Sequence, residues 1–235
     1  MARRNRRSHF TKRNHKRGSN RRIMRRISKS KQPDLKLHAL IPGARSVGQQ
    51  LVEMKMSSSL NSDSPAPSIK VQEWLRGDPL SNFQLGNIYV LKFFSTTRSY
   101  CGPELSDLAK LYQKFSDTGV EFIGIAASEQ AATADEARAQ VDATITKSLP
   151  NTNIRIGFDH SGEMEEDWLK ASRSPVPNTF IVDRDGSIAF IGDLVMIKDV
   201  LPKVIDCSWR GSAEAKNAEK ERIAEAEANN GQLVS

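Results

Sequence analysis

The sequence predicts an α/β sandwich with a mixed sheet, and three observations carry that expectation. An apolar run at 88–95 leads directly into a segment, 103–116, whose apolar residues share one helical face. A second apolar run, 120–126, follows, and strand, helix and strand in that order imply a right-handed parallel unit. Two further apolar segments, 179–182 and 187–191, flank Asp183-Arg184-Asp185-Gly186, the composition of a hairpin turn. Parallel units followed by an antiparallel hairpin and a closing helix make a sheet of mixed sense with helices packed on it.

Each element has a local reason. The run Ile88-Tyr-Val-Leu-Lys-Phe-Phe-Ser95 is near-continuously apolar, as expected of a strand buried on both faces of a parallel sheet. Along 103–116, Leu105, Leu108, Leu111, Tyr112 and Phe115 recur at spacings of one helical face. Pro103 and Glu104 are residues that a first helical turn favours. The segment 133–149 reads as a helix, 154–158 as a short strand, and 164–171 as a helix holding Trp168. In the hairpin Gly186 supplies the positive φ that the turn needs, and a last helix covers about 196–205.

The flanks differ from this core. Across residues 1–40, 15 Lys/Arg face one acid, Asp34, a net +14, while the remaining 20 Lys/Arg and 27 Asp/Glu leave the rest of the chain at −7. Residues 2–31 have too few apolar side chains to bury anything and are expected to be a disordered arm. Three readings compete for it: an organelle transit segment, a nuclear-import or nucleic-acid arm contacting phosphates, and a solubilising tail. Residues 32–68, with Pro33, Pro42, Gly43, Pro65 and Pro67, read as a mostly unstructured linker. Residues 213–228, rich in Ala, Glu and Lys but almost without an apolar face, read as a solvated tail helix. The expected division is a basic arm and linker over 1–63, a domain over 64–208 and a charged tail over 209–235.

Two cysteines in 235 residues argue against a disulfide-stapled secreted scaffold, and no stretch approaches the roughly 18 apolar residues of a membrane span. An intracellular protein is expected, with mitochondrion and nucleus or cytoplasm both open. No Cys/His cluster suggests a metal and no glycine-rich loop suggests a phosphate cofactor. Cys101 stands where the first apolar strand runs into its helix, and backbone N–H groups at a helix start favour a thiolate. The competing reading is an inert core cysteine. Cys207 reads as a packing or surface residue beside Trp209, and His160 as a loop residue rather than a base.

The order of elements, together with Val176-Pro177-Asn-Thr-Phe-Ile-Val-Asp183-Arg-Asp-Gly186, resembles the thioredoxin fold, and within it the redoxin and TlpA branch related to AhpC/TSA proteins. The similarity takes in Pro65-Ala-Pro67 and Glu73-Trp74-Leu-Arg-Gly77 and covers about 64–208. It implies a three-layer sandwich with a mixed central sheet, flanked by the basic arm and the charged C-terminal helix. It also implies that Pro177 resembles the cis proline beside the active thiol, with Val176, Tyr100 and Glu104 next to the bound substrate.

The active-site motif departs from the family. Aligned without gaps, Arg98 takes the place of the attacking cysteine and Cys101 that of the inner, resolving one. Aligned three residues later, Cys101-Gly-Pro begins the motif and Glu104 replaces its second sulfur. In that register Arg98 is expected to lower the thiol pKa. The resemblance implies a single-cysteine oxidoreductase acting on a disulfide or hydroperoxide, regenerated by an external thiol. The alternative is an interaction module whose cleft binds a partner without chemistry while the arm docks it to nucleic acid or an organelle assembly.

Overall fold

Strand β2 (Ile88–Phe94) is buried at every position and lies at the middle of the sheet. It pairs in parallel with β3 (Val120–Ala127), which pairs in parallel with β4 (Arg155–Asp159). On its other side β2 runs antiparallel to β5 (Asn178–Val182), and β5 antiparallel to β6 (Ile188–Gly192). A short strand, β1 (Glu73–Arg76), closes the far edge antiparallel to β4, giving the order β1-β4-β3-β2-β5-β6. These coordinates are a computed structural model that describes residues 59–232. The basic arm and most of the expected linker lie outside the described residues.

The helices are α1 (Cys101–Phe115), α2 (Ala134–Ser148), α3 (Leu194–Ile205) and α4 (Ala213–Gln232). Leu105 and Leu108 of α1, Val141 and Ile145 of α2, and Ile197 and Leu201 of α3 share one core with Val90 and Phe94. The opposite face of β2, carrying Tyr89, Leu91 and Phe93, packs on a helical stretch at 163–172. Trp168 of that stretch meets Phe180 edge to face at 5.1 Å. Six of its residues, Glu165–Lys170, form a π-helical turn. Helices on one face, the mixed sheet, and a helix with loops on the other make a thioredoxin-like three-layer sandwich.

The hairpin closes as expected: Gly186 has φ 78°, its N–H donates to Asp183 O at 2.9 Å, and Asp183 N donates to Ser187 O at 2.8 Å. Three expectations need correction. Glu73 and Trp74 do not merely lead into the first strand but form an edge strand of their own. Residues 60–68, expected in a linker, are bound to the domain, as is Ile69 after them. Leu60 is buried, its N–H donates to Ala171 O at 2.8 Å, and Ile69 is part of the core.

The third correction concerns the C-terminal helix. It begins at Ala213 as expected, but it is docked rather than solvated. Ala215 and Ala218 pack against the core, and Trp209 just before it is buried, with its indole N–H donating to Ala189 O at 2.8 Å. Arg222 donates to Ser172 O at 2.8 Å and to Asn61 Oδ1 at 2.9 Å, while Glu219 accepts from the N–H and hydroxyl of Ser62. A helix poor in large apolar residues is held by small side chains and one two-headed cation, which an apolar periodicity does not reveal.

Candidate thiol site

The residues between β2 and α1 are held from below by the end of β3. Ser95 Oγ donates to Ser128 O at 3.2 Å and lies 2.7 Å from Thr97 Oγ1. Thr96 donates its backbone N–H to Glu129 Oε1 at 2.8 Å and its hydroxyl to Glu129 Oε2. Arg98 N donates to Ser95 O at 3.1 Å and Cys101 N to Arg98 O at 3.0 Å, so the chain turns tightly before the helix starts. No side chain caps α1; Tyr100 precedes it and is 46% exposed.

Cys101 is the first residue of α1 and points inward, 3% exposed, within the core that holds Leu105, Leu108 and Phe94. Its thiol is pushed up to about 12, first by burial and then by the carboxylates of Glu129 and Glu104, with Lys92 opposing them. A lowered thiol pKa was the expectation from the helix start and from Arg98. It is overturned because desolvation disfavours the charged sulfur. The cation that acts on the sulfur is Lys92, while Arg98 is exposed at the surface.

Lys92 is the one charged residue of β2 and is 1% exposed. Strand alternation puts it on the face of Val90 and Phe94, the face that Cys101 also occupies. Its Nζ lies 3.2 Å from Glu104 Oε2, in the first turn of α1, close enough for a charge pair but not aligned as a hydrogen bond. Burial lowers its pKa, and Glu104, Asp193 and Cys101 act in the opposite direction. In register Lys92 faces Thr179, whose hydroxyl is buried without a hydrogen-bond partner.

The peptide bond Val176-Pro177 is cis. Asn178 pairs with Phe93, so Pro177 and Val176 leave the sheet at the end of β2 from which the 95–100 turn departs. Both are half-buried. A pocket of about 320 Å³ opens beside this turn, lined by Ser174, Pro175, Asn178, Met196 and, from α4, Arg222 and Glu225. His160 is exposed in a second pocket of about 420 Å³ that also includes Glu129. Both cysteines are free, and exposed Cys207 lies 3.7 Å from Arg184 Nη1. Among the described residues no group of three or more His, Cys, Asp or Glu is placed to hold a metal ion, and no helix is long and apolar enough to cross a membrane.

Two residues of the site were not singled out from the sequence. Lys92 was visible as a lone charge inside a strand otherwise fit for burial. Glu129 carried no such signal, because its approach to residues 96–101 comes from the parallel pairing of β2 with β3.

Residues 63–191 match the AhpC/TSA family. The chain is 74% identical over 172 residues to Protein FixW of Rhizobium leguminosarum, a match covering 73% of this chain and 78% of that protein. Among solved structures it is similar to the thioredoxin domain of a thiol-disulfide oxidoreductase from Bacteroides vulgatus. That match has 22% identity, covers 62% of this chain and 99% of that one, and gives a TM-score of 0.47. A thiol-disulfide isomerase from Corynebacterium glutamicum matches at 20% identity over 63% of this chain and 98% of its own, also with a TM-score of 0.47. With more than half of its residues matched to the family and a relative at this identity, the chain belongs to the AhpC/TSA family.

Proposed function

We propose that the protein performs thiol–disulfide exchange with Cys101 as its sulfur, acting on a protein disulfide and regenerated by an external thiol. The observation that carries this reading is the position of Cys101. It is the first residue of α1, at the end of the β2–β5 ladder where the cis Val176-Pro177 turn also emerges. Cys101 thiolate attacks one sulfur of the bound disulfide, forming a mixed disulfide, and the displaced sulfur leaves with the electron pair and takes up a proton. The external thiol then attacks the substrate sulfur of the mixed disulfide and forms a disulfide with it, and Cys101 leaves with the electron pair of the broken S–S bond and takes up a proton.

The burial of Cys101 supports the ungapped alignment, in which it is the inner sulfur and Arg98 stands at the exposed position. A thiol at about 12 supplies little thiolate at neutral pH. Its greater intrinsic nucleophilicity only partly compensates, leaving it roughly a hundredfold slower than an ordinary cysteine. Exchange therefore depends on the partner being held beside Cys101, where orientation replaces encounter. A disulfide is favoured over a hydroperoxide because two carboxylates act on the sulfur, opposing the negative oxygen that peroxide cleavage releases.

The same 3% exposure favours a second reading, in which the cleft around Pro177 and Tyr100 holds an extended partner segment without chemistry and residues 2–31 tether it to nucleic acid or an organelle assembly. One experiment separates the two. Under the first reading, Cys101→Ser loses reduction of a mixed-disulfide protein substrate by glutathione entirely. Activity that survives in Cys101→Ser sinks that reading and sends the search to ligands of the cleft.

A further inference from the structure

We propose that Lys92 is a positioning residue of the thiol site: its ammonium, buried under α1 and paired with Glu104, offsets the charge that forms on Cys101 Sγ when the thiol ionises. The proposal rests on the exchange reading and adds a residue that the family motif does not contain. Its ground is geometric. Lys92 lies in the middle of the central strand, 1% exposed, and its charge is directed to the face where α1 begins. A lysine placed there without a use would be costly, because burying an ammonium requires compensation. Its ion-pair partner, Glu104, is three residues beyond Cys101, so cation and sulfur share the first turn of one helix.

The charges on and beside the sulfur come from several elements. Helix α1 supplies Glu104, the residues after β3 supply Glu129, β2 supplies Lys92, and Asp193, just before α3, faces Lys92. Strand β5 supplies Thr179, which is uncharged. Among the described residues Lys92 is thus the one cation acting on the sulfur, set against the two carboxylates of Glu104 and Glu129. Glu129 is fixed by two hydrogen bonds from Thr96 and works against ionisation of the thiol. The pair of opposed influences makes Lys92 the residue that keeps a thiolate attainable during exchange. In that step the thiolate electron pair forms the new S–S bond, the substrate S–S bond breaks, and the proton lost from Cys101 ends on the released substrate sulfur.

The test is the rate of iodoacetamide alkylation of Cys101 against pH, in full-length protein carrying Cys207→Ser, with thiolate ultraviolet absorbance as a readout independent of reagent access. Removing one opposite charge from a buried site moves a pKa by roughly one unit or more, so K92M should lower the thiolate fraction at a fixed pH at least about tenfold. K92R should restore it, and E129Q should raise it by a similar factor. A K92M protein that is folded by circular dichroism and keeps the parental pH profile overturns the proposal. Should K92M fail to fold, the coupling is read from the other side, because linkage is reciprocal. Lys92 side-chain NMR signals should respond to the ionisation of Cys101 in the parent and not in C101S. Identical titration of Lys92 in both overturns the proposal equally. Neither readout uses exchange activity, so loss of the exchange reading through C101S and loss of the Lys92 coupling are separate results.

Discussion

Cys101 shows how two effects of opposite sign meet at a single atom. The start of a helix favours a thiolate by a modest amount, whereas burial beside two carboxylates raises the thiol from 9.0 to about 12. The consequence for stability has a definite direction. A group whose folded pKa lies above its unfolded value stabilises the fold fully below the unfolded pKa, and that stabilisation is lost as pH rises through the folded value. The melting temperature should therefore fall more steeply between pH 9 and 12 in the parent than in Cys101→Ala, and parallel curves would exclude the thiol as the cause. This environment was only partly legible in the sequence. Cys101, Glu104 and Pro177 are marked by neighbours along the chain, but the charge that opposes ionisation most, Glu129, is 28 positions away and is brought near by strand pairing.

At the scale of elements, strand β6 is the edge that most needs cover, because an unpaired strand invites pairing with another chain. Its backbone is occupied on the outer side. Asp63 N donates to Ile188 O at 2.8 Å, Ile188 N donates to Ser64 O at 2.9 Å, and the Trp209 indole takes Ala189 O. Trp209→Phe keeps the ring contact with Phe190 but leaves that carbonyl without its donor, and a loss of roughly 1–3 kcal/mol is expected in urea denaturation. Arg222 is the corresponding fastener of α4, with its side chain and that of Glu219 only 13% and 16% exposed. Arg222→Ala should cost roughly 1–3 kcal/mol and bring fast hydrogen exchange to α4 before the rest of the domain. Exchange that stays uniform would show that the Ala contacts alone suffice.

For the whole molecule, the parallel strand–helix–strand unit, the hairpin and the positions of α1, α2 and α3 were legible because apolar runs and one-sided apolar faces repeat with the periods of strand and helix. What was not legible used other means. Strand β1 is four residues of intermediate burial, Glu-Trp-Leu-Arg, too short to show alternation. Helix α4 relies on alanines and on Arg222, and residues 60–66 bind through backbone groups and the polar side chains of Asn61 and Ser62, none of which shows in an apolar pattern. The apolar, periodic sequence and the resemblance through Pro65-Ala-Pro67 put the start of the domain at 64, and hydrogen bonds to the domain begin at Leu60.

The cover of β6 by residues 63 and 64 has a practical reach. These residues belong to the segment that ties the basic N-terminal region to the domain, so loss of the chain through Ala66 would remove the outer backbone partners of β6 along with the arm. The remaining fragment would present Ile188 as a bare donor and acceptor, an adhesive margin suited to a second fragment. A polypeptide beginning at Ser59 should stay monomeric in analytical ultracentrifugation, while one beginning at Pro67 should self-associate as its concentration rises. Two monomeric fragments would show that Trp209 and α4 guard the margin without help.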